Sequence, residues 1–129
     1  MNRAVDDLRQ AGDQSFLPLA LLARAEYYRV TGALDKAKRD LDEAFSIATR
    51  GGMGLFVADC HLEYCRLQVA RFQVEGSTLN VQPETLNAAR KHLVTAKEMI
   101  EKMGYHRRDK EVEELEKQLS QLPDAPMSQ

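Results

Sequence analysis

The sequence has no excess of charge of either sign: 18 lysines and arginines stand against 20 acidic side chains, a formal net charge of −2 over 129 residues. A chain so balanced has no broad positive field with which to attract nucleic acid or an anionic membrane, so neither is expected as a partner. Long apolar runs are missing as well. The uncharged stretch from Phe16 to Ala23 falls far short of the roughly 20 residues that a membrane-spanning helix needs. The N-terminal run MNRAVDDLRQ carries acids and no apolar centre, so it does not read as a secretion signal, and a cytoplasmic setting is the expectation. Cysteine is confined to Cys60 and Cys65. Five positions on one helix turn two side chains about 140° from each other, so these cannot bridge within a helix and are read as small apolar groups in a reducing compartment.

Signals of catalysis and of β-structure are equally scarce. There is little strict alternation and no Asn-Gly or Asp-Gly turn between β-branched runs. The glycines at 51, 52 and 54 are followed by Leu55 and Phe56, so they do not open a phosphate-binding loop. Ser15, Ser46 and Ser77 lack the context of an activated nucleophile, which needs an oriented base beside it. His61 and Cys65 are four apart, a spacing that sets two ligands on one helical face. Structural zinc takes four ligands and catalytic zinc usually three from protein, while His92 and His106 stand in other segments. No metal site, no cofactor and no enzymatic activity are therefore expected. A small enzyme with an unrecognised site is the weakest of the readings.

What the chain does contain is helical periodicity. With 43% apolar residues it can form one domain with a real core, over 1–122, followed by a frayed tail over 123–129. A first segment near 2–11 sets Ala4, Val5, Leu8 and Ala11 on one stripe and stops at Gly12. A second begins near Ser15, a potential cap, and runs through LPLALLARAEYYRV to Gly32, with Pro18 tolerated in its first turn. Its apolar character from Phe16 to Ala23 suits a helix with neighbours on more than one side. After a tight turn a third segment carries Leu34, Ala37, Leu41, Ala44 and Ala48 on one face and ends at Gly51 and Gly52. A long helix is read from Gly54 to Glu75, with Phe56, Cys60, Leu67 and Phe72 among its apolar positions. Another follows from Pro83 to about Met103, presenting Leu86, Ala89, Leu93, Ala96 and Ile100. A last one, capped by Asp109, carries Val112, Leu115, Leu119 and Leu122 up to Pro123. About six helices result.

The most specific pattern is Ala-x3-Leu-x2-Ala, found at Ala4, Leu8, Ala11, again at Ala37, Leu41, Ala44, and again at Ala89, Leu93, Ala96. Small residues on either side of one large residue let a neighbouring helix approach closely while the large side chain fills the groove. The helices that precede the last two copies also echo each other: Glu26, Tyr27, Tyr28, Arg29 is matched by Glu63, Tyr64, Cys65, Arg66 at an offset of 37. Periods of 30 to 40 residues with two helices per unit mark a helical repeat array.

On these residues the chain resembles the tetratricopeptide repeat family. The match is best from Leu21 to Ala44. Ala25 takes the small position of the first helix, Tyr28 the aromatic one, Gly32 the turn, and Ala37, Leu41 and Ala44 the second helix. The resemblance implies an all-α fold in which antiparallel helix pairs stack as a short right-handed solenoid. It would comprise a half repeat over 1–12, a repeat over 15–50, a stretched repeat over 54–103 and a terminal helix over 109–122. Arg24 and Thr49 depart from the pattern, standing where the family favours an aliphatic residue and proline. The span from Cys65 to Ala89 is 24 positions against nine from Tyr28 to Ala37, which inserts 15 residues between the helices of the second unit. The runs LLARAEYYR, DLDEAFSIA, DCHLEY and GYHRRD also resemble the C-terminal helical-repeat segments of large multidomain bacterial signalling ATPases, where a regulatory role would be implied.

Function is expected to follow from the groove that first helices line in such arrays. Glu26, Tyr27, Arg29, Glu63, Tyr64 and Arg66 would face it and grip a protein or peptide by ion pairs and aromatic contact. Left to themselves, Glu26 with Arg29 and Glu63 with Arg66 would be surface i, i+3 pairs, each contributing about 0.2 to 0.5 kcal/mol. Homodimerisation is the second reading, since the unpaired first helix and the leucine stripe of the last one offer apolar faces to cover. The dense basic run Tyr105, His106, Arg107, Arg108, Asp109 is read as a source of local ion pairs.

Overall fold

A computed structural model of the chain describes residues 2–10, 16–77 and 83–122. These form six α-helices and no strand among the described residues: α1 (Asn2–Gln10), α2 (Leu17–Val30), α3 (Leu34–Arg50), α4 (Gly54–Ser77), α5 (Pro83–Met103) and α6 (Asp109–Gln121). A single 3₁₀ turn, His106–Arg108, leads into α6. No helix among them is long and apolar enough to cross a membrane. The cap expected of Ser15 and the stop at Gly12 fall outside the described residues, while α4 runs past its expected end at Glu75 through Gly76 and Ser77.

Helix ends follow from local chemistry. Pro18 occupies the first turn of α2, where its missing N–H is no loss. At the other end Gly32 takes φ +89°, which lets its own N–H reach the Arg29 carbonyl and the Ala33 N–H reach that of Tyr28. This double bond pattern satisfies carbonyls that the helix leaves orphaned, and a residue with a Cβ would resist that φ. The same pair of bonds closes α3 through Gly52 and Met53, and α5 through Gly104 and Tyr105. The start of α6 differs from expectation. Asp109 is the first helical residue, no side chain caps the helix, and the Asp109 carboxylate faces the His106 ring at 3.1 Å instead. The 3₁₀ turn shifted the helix start by one position and took Asp109 out of the capping place.

Helices pack against their sequence neighbours as antiparallel pairs, α2 on α3 and α4 on α5, while α3 also packs on α4 and α5 on α6. The alternate helices α2, α4 and α6 touch side by side. Two clusters of buried side chains result. One joins Val5, Leu17, Leu21, Ala25, Ala37, Leu41, Ala44 and Ile47 to Cys60 and Leu67 of α4. The other joins Ala58, Leu62, Cys65, Val69 and Phe72 of α4 to Leu86, Ala89, Leu93, Ala96, Ile100 and the α6 residues Val112, Leu115 and Leu119. Thus α4 carries apolar residues on two faces because it serves both clusters. The wide angle between Cys60 and Cys65 puts one thiol into each, and both are fully buried and free.

The small-large-small pattern meets different fates. Ala37, Leu41 and Ala44 are buried, as are Ala89, Leu93 and Ala96. In the first copy Ala4 is exposed, Leu8 half-buried, and Val5 takes the fully buried place. Helix α1 packs chiefly on α2 and is tied to α3 by the Arg9–Glu43 pair, so its apolar hold is a narrow stripe centred on Val5 rather than a two-sided groove. The insertion in the second unit is taken up largely as extra helical turns: α4 and α5 have 24 and 21 residues where α2 and α3 have 14 and 17. On α6 the leucine stripe is covered by the chain itself, with Leu115 and Leu119 each 5% exposed.

Candidate functional site

Because α2, α4 and α6 lie side by side, they line one open trough. Its first stretch encloses about 410 Å³ between Leu19, Leu22, Ala23 and Glu26 of α2, Asp59, Leu62, Glu63 and Arg66 of α4, and Glu111 and Glu114 of α6. Past Arg66 and Glu111 it continues along Val69, Ala70 and Gln73 of α4 beside Leu115 and Gln118. From Asp59 to Gln73 the trough follows α4 for about 21 Å at 1.5 Å per residue.

A chain of charges forms its floor. Arg29 donates through Nε to Glu63 Oε2 at 2.5 Å, Arg66 donates to Glu63 at 3.3 Å and to Glu111 at 2.5 Å. Arg108 then donates to the other Glu111 oxygen at 2.6 Å and through Nε to Asp59 at 2.8 Å. Three arginines and three carboxylates therefore alternate from α2 through α4 to α6. The Glu63 side chain is only 6% exposed, so its charge depends on the two guanidinium groups that reach it. Burial pushes the Glu111 carboxyl up, but the hydrogen bonds from Arg108 and Arg66 outweigh that and hold it below its ordinary value. The bond to Asp59 strengthens the hold of Arg108 on its proton.

The residues expected in the groove separate into two sets. Arg29, Glu63 and Arg66 lie in the trough, joined to one another, and Arg29 pairs across helices with Glu63 instead of with Glu26. Glu26 is exposed on the α2 wall. Tyr27 is 52% exposed on the outer face of α2, its ring centroid 5.9 Å from that of Tyr28. Tyr64 points away from the trough, between α3 and α5. Its hydroxyl donates to Asp42 at 2.5 Å and its ring stacks on His92 at 4.8 Å. The His61 and His92 rings meet there, Nδ1 to Nδ1 at 3.0 Å, with Phe45 edge-on to His61. Burial first, and then the charge of its neighbour, lowers each imidazole below its ordinary value, His61 by His92 and His92 by Lys91. No group of three or more possible metal ligands occurs among the described residues.

Asp59, Arg108 and Glu111 were not singled out as trough residues by sequence, yet a signal existed. Arg108 and Glu111 are three apart, and Arg108 belongs to the run GYHRRD while Asp59 opens DCHLEY. The runs LLARAEYYR, DLDEAFSIA, DCHLEY and GYHRRD are bound to one another by charge: Arg24 of the first forms a two-pronged pair with Asp40 of the second, at 2.6 and 2.7 Å. Arg29 of the first meets Glu63 of the third, and Arg108 of the fourth meets Asp59 of the third. The departure at Arg24 from the repeat pattern is thus matched by an acid that receives it. The bond to Asp40, outweighing the effect of burial, holds the Arg24 proton more tightly still.

Comparison with known proteins found no family that matches the chain, and no curated protein or solved structure similar to it.

Proposed function

We propose that the chain is a tetratricopeptide-like module, a short right-handed stack of helix pairs, that holds a segment of a protein partner in the trough along α2, α4 and α6. The observation that carries this reading is the trough itself, since an accessible channel runs across three alternate helices while the second helices of the pairs stay outside it. A surface of that length suits an extended or helical segment better than a small molecule, which is held in a deeper, more enclosed site. In this scheme α2–α3 and α4–α5 are the repeat units, α1 is the second helix of a half unit, and α6 closes the stack as a terminal helix. Pairing of two copies through the α6 leucines is not part of the proposal, because those side chains are buried against α4 and α5.

Photocrosslinking tests it. With p-benzoylphenylalanine in place of Leu19, on the trough wall, the chain should form a discrete adduct with a protein of its own cell. The same group in place of Val94, exposed on α5, should not. Identical adduct patterns from both positions, or none from Leu19, would reject the trough as the binding surface.

A further inference from the structure

The α2 wall of the trough passes outward into an exposed apolar face. Phe16 is 61% exposed, Leu19 54%, Tyr27 52% and Val30 71%, and Ala23 is exposed among them. These five fall at successive steps of three, four, four and three residues, which gathers them into one apolar seam along the helix. Leu19 and Ala23 belong both to this seam and to the trough wall. A helix laid along α2 would therefore cover the seam with one side and look into the trough with the other.

Charge decides which helix. In the trough floor the arginines 29, 66 and 108 are matched by Asp59, Glu63 and Glu111, so that set is neutral. Glu26 on the α2 wall and Glu114 on the α6 wall stand outside it, and neither has an ion-pair partner among the described residues. Both walls thus present carboxylate with no basic group left to answer them. A second copy docking through its own α2 is a poor occupant of the seam. Its α2 would bring another Glu26, while its own bases, Arg24 and Arg29, are already held by Asp40 and Glu63.

Resting on the trough reading above, we infer that the occupant is a basic amphipathic helix whose apolar side seats on Phe16, Leu19, Ala23, Tyr27 and Val30 and whose lysines or arginines reach Glu26 and Glu114. The apolar seam supplies the contact area and the two carboxylates select the partner's charge.

The test is fluorescence anisotropy on the full chain with two labelled two-heptad peptides, one of leucine and lysine, the other of leucine and glutamate. The lysine peptide should bind, the glutamate peptide should not. The double variant Glu26→Lys, Glu114→Lys should weaken the lysine peptide about tenfold or more and improve the glutamate peptide. Both positions are exposed, and an unchanged circular-dichroism melt confirms that the variant is folded. Equal binding of both peptides, abolished for both by Leu19→Asp with Ala23→Asp, would overturn the charge selection while leaving the trough in use. Binding indifferent to Leu19→Asp with Ala23→Asp, or no binding of either peptide, would overturn the inference, and the Leu19 crosslink then judges the trough separately. A wild-type dimer in sedimentation that those two substitutions dissociate would make the occupant a second copy and also overturn it.

Discussion

The Arg29 guanidinium and the Glu63 carboxylate meet at 2.5 Å across the junction of α2 and α4, and the carboxylate is all but withdrawn from water. The pair joins the helix pairs α2–α3 and α4–α5 at the level of their first helices. Since Glu63 also accepts from Arg66, its loss would leave the Arg29 guanidinium without its counter-charge and Arg66 with Glu111 alone. Glu63→Ala should lower unfolding free energy by about 2 kcal/mol in chemical denaturation. The double variant with Arg29→Ala should lose less than the two single losses added together.

Arg108 and Asp59 perform the corresponding task for α6, which is amphipathic and short. Asp59→Asn should cost about 1 to 2 kcal/mol, given that the group is only partly buried. The more telling readout is local. Amide hydrogen exchange should accelerate in α6 and the 3₁₀ turn before it, well beyond any change in α3.

The facing imidazoles predict an acid limit. Both His61 and His92 are held below their ordinary value in the folded chain, so the unfolded chain binds more protons as soon as pH falls through the ordinary imidazole range near about 6.5. Stability should be fully present above that range, decline as pH falls through it, and level off below the folded values. The groups that face the pair are Tyr64 with Asp42, Lys91, and the Phe45 ring. Melting temperatures between about pH 7.5 and pH 5 should drop for the wild type and drop less in His92→Gln, where buried His61 remains.

The two thiols should be inert. Burial, the largest cause, pushes both Cys60 and Cys65 up to about 12, so thiolate is negligible at pH 8. A disulfide-exchange reagent should label neither in the native chain and both after unfolding. Rapid native labelling would mean that α4 opens on its own.

One substitution made in all three copies of the small-large-small pattern separates packing from resemblance. Ala37→Leu and Ala89→Leu should each cost about 1 to 3 kcal/mol by overfilling a closed helix contact. Ala4→Leu, on an exposed position, should stay within about 0.5 kcal/mol. Thermal or denaturant melts of the three variants decide it.

Most helices could be read in the sequence because their apolar residues repeat at helical spacing and their ends carry glycine or proline. The bounds expected for α5 agree with the observed Pro83–Met103, and the end of α3 falls at its glycine pair. The start of α6 was misread, because a 3₁₀ turn and a capping aspartate look alike in sequence and only the backbone distinguishes them. The candidate site was half legible. Periodicity put Arg29, Glu63 and Arg66 on comparable helices, but Tyr64 two places from Arg66 rotates to the far side of α4. Pairings such as Arg108 with Asp59 join residues 49 positions apart, which no local pattern encodes. A resemblance that treats charged motif residues as ligand contacts also misses that here they bind one another.

Helix α4 belongs to both clusters of buried side chains, giving Cys60 and Leu67 to one and Cys65, Val69 and Phe72 to the other. Neither half owns a complete interior. Removing α1–α3 would strip one flank of α4, and removing α5 and α6 would strip the other, so neither fragment is expected to keep a fixed fold. The coupling between neighbours is therefore the whole of the cooperativity: melting at one end is transmitted through a single shared rod, and a ligand that clasps α2 to α6 raises the melting point of every helix between them.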